Sequence, residues 1–466
     1  MRRVLTAILP GLALSACAMA GPDYRPPAHS AATLPAATGA FVSATGPAVA
    51  EQPLPDHWWR LYADPRLDAL VTEALAANAS LRAADANLRR ADAVVREAEA
   101  GRGLLTSSSG GSTLSRPAGT GESLPGLVGY SLGIAASYPL DLRGKIARGI
   151  EAARADSEAV AAARDAVRVS VAAATTKAYA DVCGANYALA VNQRIVALQR
   201  DTLDATRRLQ QGGRGTAFDV SRAQAAVDQS AATLPAFAAR RQAGLFLLAT
   251  LLGKAPADYP RDVAACSTLP ALASPLPVGD GAALIRRRPD IRAVERSIAA
   301  DTARIGVAVA DLYPQVSIGG SLGLSGALKD AGSPTSFGFS LGPLLSWSFP
   351  NRPVVKARIA QADAKVAGDL AGFDGTVLEA LRQAETALET YNRDRDSAAA
   401  LAKASDSAAV SAGQAQKLYR FGRGDFLSLL VAQRSLATAE AASAAARVQL
   451  VDDQVATFLA LGGGWE

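Results

Sequence analysis

The sequence predicts an α+β chain made of two internal repeats, in which long helices alternate with pairs of β-strands. Three observations support this fold class. The chain resembles itself at a shift of 209 residues, because Gly213-Arg214-Gly215 returns as Gly422-Arg423-Gly424 and 422 − 213 = 209. Three segments alternate apolar with small polar residues, a fourth from Thr106 to Ser115 is more polar and alternates more weakly, and apolar residues elsewhere recur every seven positions. An internal repeat defines the architectural unit before any chemistry is considered.

The repeats divide the chain into consecutive segments. Each repeat is expected to contain an opening helix, two strands, a long helix and a closing helix, and the opening helix of repeat 1 is expected to be long. The predicted segments are a signal peptide at 1–16, a lipidated N-terminal tail at 17–60, repeat 1 at 61–262, a linker at 263–281, repeat 2 at 282–461 and a C-terminal tail at 462–466.

The first residues have the pattern of a secretory signal. Arg2 and Arg3 precede an apolar stretch, and small residues follow it just before Cys17. The sequence Leu14-Ser15-Ala16-Cys17 resembles a bacterial lipobox, which implies cleavage before Cys17 and acylation of that cysteine. The alternative is an ordinary signal peptide with an incidental cysteine. Ala18 stands where an aspartate would resemble an inner-membrane retention signal, so the pattern favours the outer membrane.

The helices are predicted from apolar residues at intervals of seven. Such heptads indicate long helices that pack with a left-handed twist. A helix from about Gly144 to Gln211 would be roughly 100 Å long at 1.5 Å per residue, longer than an ordinary globular core requires. The heptad positions in the opening helix of repeat 1 are Leu67, Ala74, Leu81, Leu88 and Val95, and those in the long helix of repeat 2 are Ile359, Val366, Phe373, Ala380 and Ala387.

The strands are predicted at about 104–116, 127–140, 314–325 and 335–348. In the last three one face is apolar and the other small and polar, and the first is more polar and gives a weaker signal. Strands of this length fit a tilted bilayer crossing, and a soluble sheet with one wet face is the alternative. Four strands cannot close a barrel, and an open sheet edge cannot lie in lipid. A membrane-spanning barrel would therefore need several copies of the chain.

Composition excludes other classes of function. The formal net charge of +5 is scattered, without the basic and aromatic clusters of a nucleic-acid groove, so nucleic acid is not an expected partner. His29 and His57 lie in the N-terminal tail without clustered ligands, which predicts no metal site and no cofactor. Cys183 and Cys266 either form a disulfide or stay as two buried free thiols.

Several motifs, taken in order, resemble the TolC-like outer membrane factors, and in particular the lipoprotein branch of drug-efflux channels. The resemblance covers essentially the whole chain. The motifs are the lipobox, Gly21-Pro22-Asp23-Tyr24-Arg25-Pro26-Pro27, Trp58-Trp59, Asp64-Pro65-Arg66-Leu67, Arg286-Arg287-Arg288-Pro289-Asp290-Ile291, Tyr313-Pro314-Gln315, Tyr419-Arg420-Phe421-Gly422-Arg423-Gly424 and Ala432-Gln433-Arg434.

The resemblance implies a homotrimer in the outer membrane, with a twelve-stranded β-barrel made of four strands per chain. The barrel would continue into a long periplasmic α-helical coiled-coil barrel. The implied partners are outer-membrane lipid, a periplasmic adaptor protein and an inner-membrane transporter of the resistance-nodulation-division type. The implied function is passive efflux of small molecules, without catalytic residues. The alternative is the same channel fold serving type I protein secretion with an ABC exporter.

The resemblance also implies a gate near the periplasmic tip, just after the two Gly-Arg-Gly turns. These turns, Gly213, Arg214, Gly215 and Gly422, Arg423, Gly424, are the expected contacts of the adaptor. Leu427 matches an apolar ring of the family, whereas Val431 stands where relatives have an aspartate. We therefore expect a weaker cation preference than in relatives unless Asp425 takes over that role. Asp219 and Arg222 either form polar links that hold the tip closed or lie on a solvated helix face.

Overall fold

The computed structural model describes residues 19–115, 127–347 and 352–463. The signal peptide and Cys17 lie outside these residues. In the described part the chain follows the expected order of helices and strands. The helices are α1 (Pro35–Thr38), α2 (Pro65–Ala77), α3 (Ala79–Ala100), α4 (Lys145–Gln211), α5 (Ala217–Ala231), α6 (Leu234–Leu251), α7 (Gly281–Arg287), α8 (Pro289–Ala310), α9 (Arg352–Arg420) and α10 (Phe426–Ala460). The strands are β1 (Val49–Ala50), β2 (Leu105–Ser115), β3 (Leu127–Leu140), β4 (Leu276–Pro277), β5 (Gln315–Ala327) and β6 (Phe337–Ser346).

The opening helix of each repeat differs from the expectation, because it is broken into two helices. The breaks fall at Asn78 and Arg288, which are equivalent in the two repeats since 288 − 78 = 210. Asn78 has an extended backbone, and its side-chain oxygen accepts the amide protons of Ser80 and Leu81 at 2.9 and 3.3 Å. Arg288 precedes Pro289, a position that disfavours helical backbone. The heptad pattern of repeat 1, from Leu67 to Val95, runs through the break at Asn78 and so did not reveal it.

The closing helices of the two repeats also differ from each other. Repeat 1 closes with α5 and α6, which are separated at Ala232 and Thr233, whereas repeat 2 closes with the single helix α10. Pro235 lies in the first turn of α6, and its equivalent in α10 is Ala444, because 444 − 235 = 209. Proline has no amide proton to donate and clashes with the preceding turn, so it restarts the helix.

The chain forms two compact units. The first unit comprises Asn87–Ala161, Ala293–Phe373 and the described residues up to Ala28. It contains an antiparallel sheet of four strands in the order β2-β3-β5-β6, so β2 and β6 are its edges. The register aligns Leu132 with Leu324 and Ile134 with Leu322, while Gly133 lies opposite Gly323. One face of the sheet therefore carries large apolar side chains and the other glycine and serine.

In the first unit the segment that follows the predicted cleavage site is fixed to helix α4. The Arg148 side chain is 2% exposed, and its guanidinium donates to the Ala20 carbonyl at 3.1 Å and to the Asp23 carboxylate at 2.6 Å. A Cβ on Gly21 would lie 2.5 Å from the Gly306 Cα, so only glycine permits this approach. A charge-assisted hydrogen bond from a buried arginine is strong, and we conclude that residues 20–23 have a defined position.

The second unit comprises His29–Ala86, Ala162–Arg292 and the described residues from Asp374 onward. Its core includes Trp58, which is fully buried and stacks on Phe458 with ring centroids 4.6 Å apart. The Trp58 indole donates to the Gly463 carbonyl at 3.2 Å. Buried tryptophan usually needs such a partner for its N–H. The short parallel pair β1 and β4 joins the N-terminal tail to the linker.

The cysteines of the second unit are paired. Cys183 in α4 and Cys266 in the linker form a disulfide with Cα atoms 5.0 Å apart. The Asn186 side chain donates to the carbonyls of Ala264 and Cys266 at 3.0 and 2.7 Å. The linker is therefore held on α4 by one covalent bond and by hydrogen bonds beside it. None of the helices in the described part of the chain is long and apolar enough to cross a membrane.

Candidate functional site: the two helix-hairpin turns

Both Gly-Arg-Gly turns end a long helix in the same way. Gly213 and Gly422 have φ values of 75° and 70°, in the left-handed region that favours glycine. In the first turn the amide of Arg214 donates to the Leu209 carbonyl at 2.8 Å, and the amide of Gly213 donates to the Gln210 carbonyl at 3.0 Å. The same two bonds recur at 422–423. This is the Schellman arrangement, which satisfies the last carbonyls of a helix.

The structure brings the two turns together within the second unit. A Cβ placed on Gly422 would lie 3.0 Å from a guanidinium nitrogen of Arg214. Behind the turns, Phe426 packs with Leu203, Ala223 and Val227 in a buried cluster. Phe426 and Tyr419 have ring centroids 5.9 Å apart, so α9 and α10 are joined to this cluster as well. The two hairpins therefore share one small core at their ends.

Asp425 and Asp219 both serve the helices that follow the turns. Asp425 is the N-cap of α10: its carboxylate accepts the Ser428 amide at 2.8 Å and the Ser428 hydroxyl at 2.6 Å. These bonds from Ser428 lower the pKa of the Asp425 carboxyl. In repeat 1 the roles are exchanged, since Thr216 is the N-cap and Asp219 closes a capping box with it. Both carboxylates thus stabilise helix N-termini.

The proposed gate residues lie on one exposed face of α10. Leu427 is 51% exposed and Val431, one turn later, is 60% exposed. The equivalents in α5 are Phe218 and Arg222, because 427 − 218 and 431 − 222 both equal 209. Phe218 is 67% exposed, and the Arg222 guanidinium carbon lies 5.3 Å from the centre of its ring. Arg222 therefore interacts with Phe218 on the same helix.

Sequence reasoning left some residues at this end of the unit without a role. Gln433 is 3% exposed, and its side-chain nitrogen donates to the Thr202 hydroxyl at 2.6 Å, which joins α10 to α4. Arg434 is exposed and stands seven residues after Leu427, so it lies on the same face of α10. The heptad spacing from Leu427 could have identified it.

Among the described residues, no group of three or more His, Cys, Asp or Glu side chains is arranged to hold a metal ion.

Comparison with known proteins gives one family. The family model described as "Outer membrane efflux protein" matches residues 70–254 and 282–463. The chain is 30% identical over 479 aligned residues to outer membrane protein OprJ of Pseudomonas aeruginosa, covering 99% of this chain and 96% of OprJ. It is 29% identical to nodulation protein T of Rhizobium leguminosarum bv. trifolii, covering 97% of this chain and 96% of the relative. The solved structure of the outer-membrane channel OprN superposes with a TM-score of 0.87 at 34% identity, covering 96% of this chain and 99% of OprN.

Proposed function

This chain belongs to the outer membrane efflux protein family, and we propose that it forms the exit duct of a tripartite efflux system. Three copies would enclose a twelve-stranded barrel in the outer membrane and a helical barrel in the periplasm. Small molecules would pass through this duct from an inner-membrane pump of the resistance-nodulation-division type. The duct itself is passive, because the pump supplies the energy for transport.

The sheet of the first unit is the observation that carries this proposal. Its apolar face is exposed in the single chain: Leu132 is 57%, Phe339 77% and Leu341 81% exposed. The opposite face has small polar contacts, such as the 2.8 Å hydrogen bond between the Ser321 and Ser340 hydroxyls. Apolar side chains toward lipid and small polar side chains toward a lumen are the pattern of a transmembrane barrel. Pairing of the β2 and β6 edges between copies would close it.

The anchor and the adaptor contact are further parts of the proposal. Arg148 fixes residues 20–23, which begin three residues after Cys17. This attachment supports an acylated Cys17 as the N-terminus, because the chain just after the lipid anchor is then held on α4. The exposed turns at Gly213 and Gly422 offer the contact for a periplasmic adaptor protein. Leu427 and Val431 would form an apolar constriction at the same end. Ser428 holds the Asp425 carboxylate at the N-terminus of α10, and residues two positions apart, such as Asp425 and Leu427, do not share a helix face. We therefore expect Asp425→Asn to leave the ion selectivity of the gate unchanged.

Native mass spectrometry of the complex extracted from outer membranes with detergent tests the proposal. The expected result is a trimer in which each chain carries a lipid, and the same preparation is expected to form ion-conducting channels in planar bilayers. The Cys17→Ala variant should lose the added lipid mass. A monomer recovered from the periplasmic fraction, or a trimer without conductance, would contradict the exit duct.

A further inference from the structure

A groove of about 580 Å³ lies in the second unit, between α4, α5 and α10. It is within a few helical turns of the two Gly-Arg-Gly segments. Arg222 from α5 and Arg434 from α10 both line it. Its apolar part includes Ile195 and Leu430. None of the described residues that line the groove is acidic. Its volume is in the range of sites that bind small organic molecules.

The two arginines give this groove a positive charge that is not neutralised nearby. Among the residues that the structure describes, neither the Arg222 nor the Arg434 guanidinium has a carboxylate within ion-pair distance. The two acidic residues beside the Gly-Arg-Gly turns, Asp219 and Asp425, are hydrogen-bonded at the N-termini of α5 and α10. A guanidinium group binds carboxylates through paired, charge-assisted hydrogen bonds. The charge of the groove therefore favours an anionic ligand.

Each repeat contributes one of these arginines, and the two arginines do not occupy equivalent positions in the repeats. The equivalent of Arg222 in α10 is Val431, and the equivalent of Arg434 in α5 is Ala225, since both pairs differ by 209 positions, 431 − 222 and 434 − 225. Each arginine of the groove is therefore matched by an uncharged residue at the equivalent position of the other repeat.

Gln199 supplies an independent indication that the groove holds a ligand. The residue is 7% exposed, it lines the groove, and its side-chain oxygen has no hydrogen-bond partner in the described structure. A buried acceptor without a donor is unfavourable by itself. A ligand that presents an N–H or O–H group would satisfy it. A ligand that matches the groove would therefore have an anionic group, a hydrogen-bond donor and an apolar part that contacts Ile195 and Leu430.

We infer that this groove binds amphiphilic organic acids, that is, carboxylates with an apolar ring or chain and a hydrogen-bond donor. The inference deepens the proposed function, because it assigns a class of solute to the periplasmic end of the duct. The binding itself does not depend on transport.

Isothermal titration calorimetry of the full-length protein in detergent tests this site with 6-hydroxy-2-naphthoate and its neutral amide. We expect the acid to bind at least tenfold more tightly than the amide. The Arg222→Gln/Arg434→Gln double variant should lose at least tenfold in affinity for the acid, whereas the Arg222→Lys/Arg434→Lys variant should lose less. The matched control is Arg82→Gln, which removes one exposed positive charge on α3, and its affinity should equal that of the wild type.

The role of Gln199 is tested by comparing two ligands. Gln199→Leu should weaken binding of 6-hydroxy-2-naphthoate about threefold and leave 2-naphthoate, which has no hydroxyl group, unchanged. Equal affinities for the acid and the amide, or full affinity in the double glutamine variant, would overturn the inference. If that variant fails to assemble, the lysine variant and the Gln199→Leu comparison decide. Bilayer conductance of the same preparations separates the two proposals, because lost conductance with intact binding contradicts only the exit duct.

Discussion

At the scale of single residues, the second unit contains a buried carboxyl group that favours its protonated form. Asp453 is 6% exposed, and burial raises its pKa to about 6. The Gln449 side chain donates to it at 2.8 Å and opposes this shift, whereas the neighbouring carboxylates of Asp394 and Asp452 add to it. Lys177 lies 2.8 Å from Asp452, so the nearby positive charge is already paired with another acid.

We expect Asp453→Asn to stabilise the protein at neutral pH. The folded-state pKa of Asp453 is above the value of about 4 for an unfolded chain. Its contribution to the free energy of unfolding is therefore present below pH 4 and is lost as pH rises to about 6. Asparagine has the same shape and cannot ionise. The melting temperature should rise by about 2–4 °C at pH 7.5 and by a smaller amount at pH 4.5. The exposed Asp406→Asn should show no such difference, and a lower melting temperature at pH 7.5 would contradict the prediction.

At the breaks in the two opening helices, different side chains make the same hydrogen bond to the end of a closing helix. The Asn78 side chain donates to the carbonyl of Leu251 at 3.0 Å, and the Arg288 side chain donates to the carbonyl of Ala460 at 2.8 Å. These carbonyls are equivalent in the two repeats, since 460 − 251 = 209, and each ends a closing helix. Arg288 also binds Gln383 and the Asp290 carboxylate. The repeats thus preserve a contact although they differ in the residue that makes it.

Removal of the Arg288 side chain should destabilise the second unit more than removal of Asn78. Arg288→Ala leaves the Ala460 carbonyl without its side-chain donor and the Asp290 carboxylate with only the Ile291 amide as a donor, and a buried ion pair that loses one partner costs about 3–5 kcal/mol. Because Asp290 is partly exposed, we expect about 2–3 kcal/mol here, against about 1 kcal/mol for Asn78→Ala. Chemical denaturation followed by tryptophan fluorescence measures both, since Trp58 and Trp59 are buried in this unit. Equal losses would show that the charge of Arg288 has no special role.

At the scale of elements, the sequence predicts what depends on local periodicity. The alternation of apolar residues gives β3, β5 and β6 within a few residues, because each of these strands has one apolar face, whereas β2 is polar on both faces and gives a weaker pattern. The Gly-Arg-Gly spacing gives both turns, because a Schellman turn requires glycine. The helix breaks were missed, since the apolar stripe continues through Asn78 and the interruption depends on a contact with the distant Leu251. The groove was missed for the same reason, because Arg222 and Arg434 come to line one groove only through tertiary packing.

The disulfide should stabilise the attachment of the linker to α4. It joins cysteines 83 residues apart, and closing a loop of that length in the unfolded chain is worth about 4 kcal/mol in the chain-entropy model. We expect Cys183→Ser, Cys266→Ser and the double variant to lower the melting temperature by the same amount. A reductant should lower that of the wild type alone. Additive losses in the double variant would indicate that each side chain contributes by its own packing.

At the scale of the whole molecule, the sheet needs surroundings that a single chain in water does not supply. Its two faces differ in chemistry, and large apolar side chains on one of them are exposed. A soluble monomer rarely exposes an apolar patch of this kind. The edges β2 and β6 also expose backbone groups that must find partners before the sheet can enter lipid. Trimer formation and membrane insertion are therefore expected to depend on each other.

Two neighbouring substitutions in β3 test this dependence, because Ser131 and Leu132 point to opposite faces of the sheet. Leu132 pairs with Leu324 on the apolar face, and Ser131 pairs with Ser325 on the small polar face. A charged residue toward lipid costs about 2–4 kcal/mol near the middle of the bilayer, whereas a lumen is solvated. In the trimer this cost applies three times. Leu132→Arg should therefore strongly reduce the amount of trimer that native gels detect in outer-membrane extracts, and Ser131→Arg should leave it largely unchanged. The reverse order of the two variants would mean that the apolar face packs against protein and that the serine face is the one in contact with lipid.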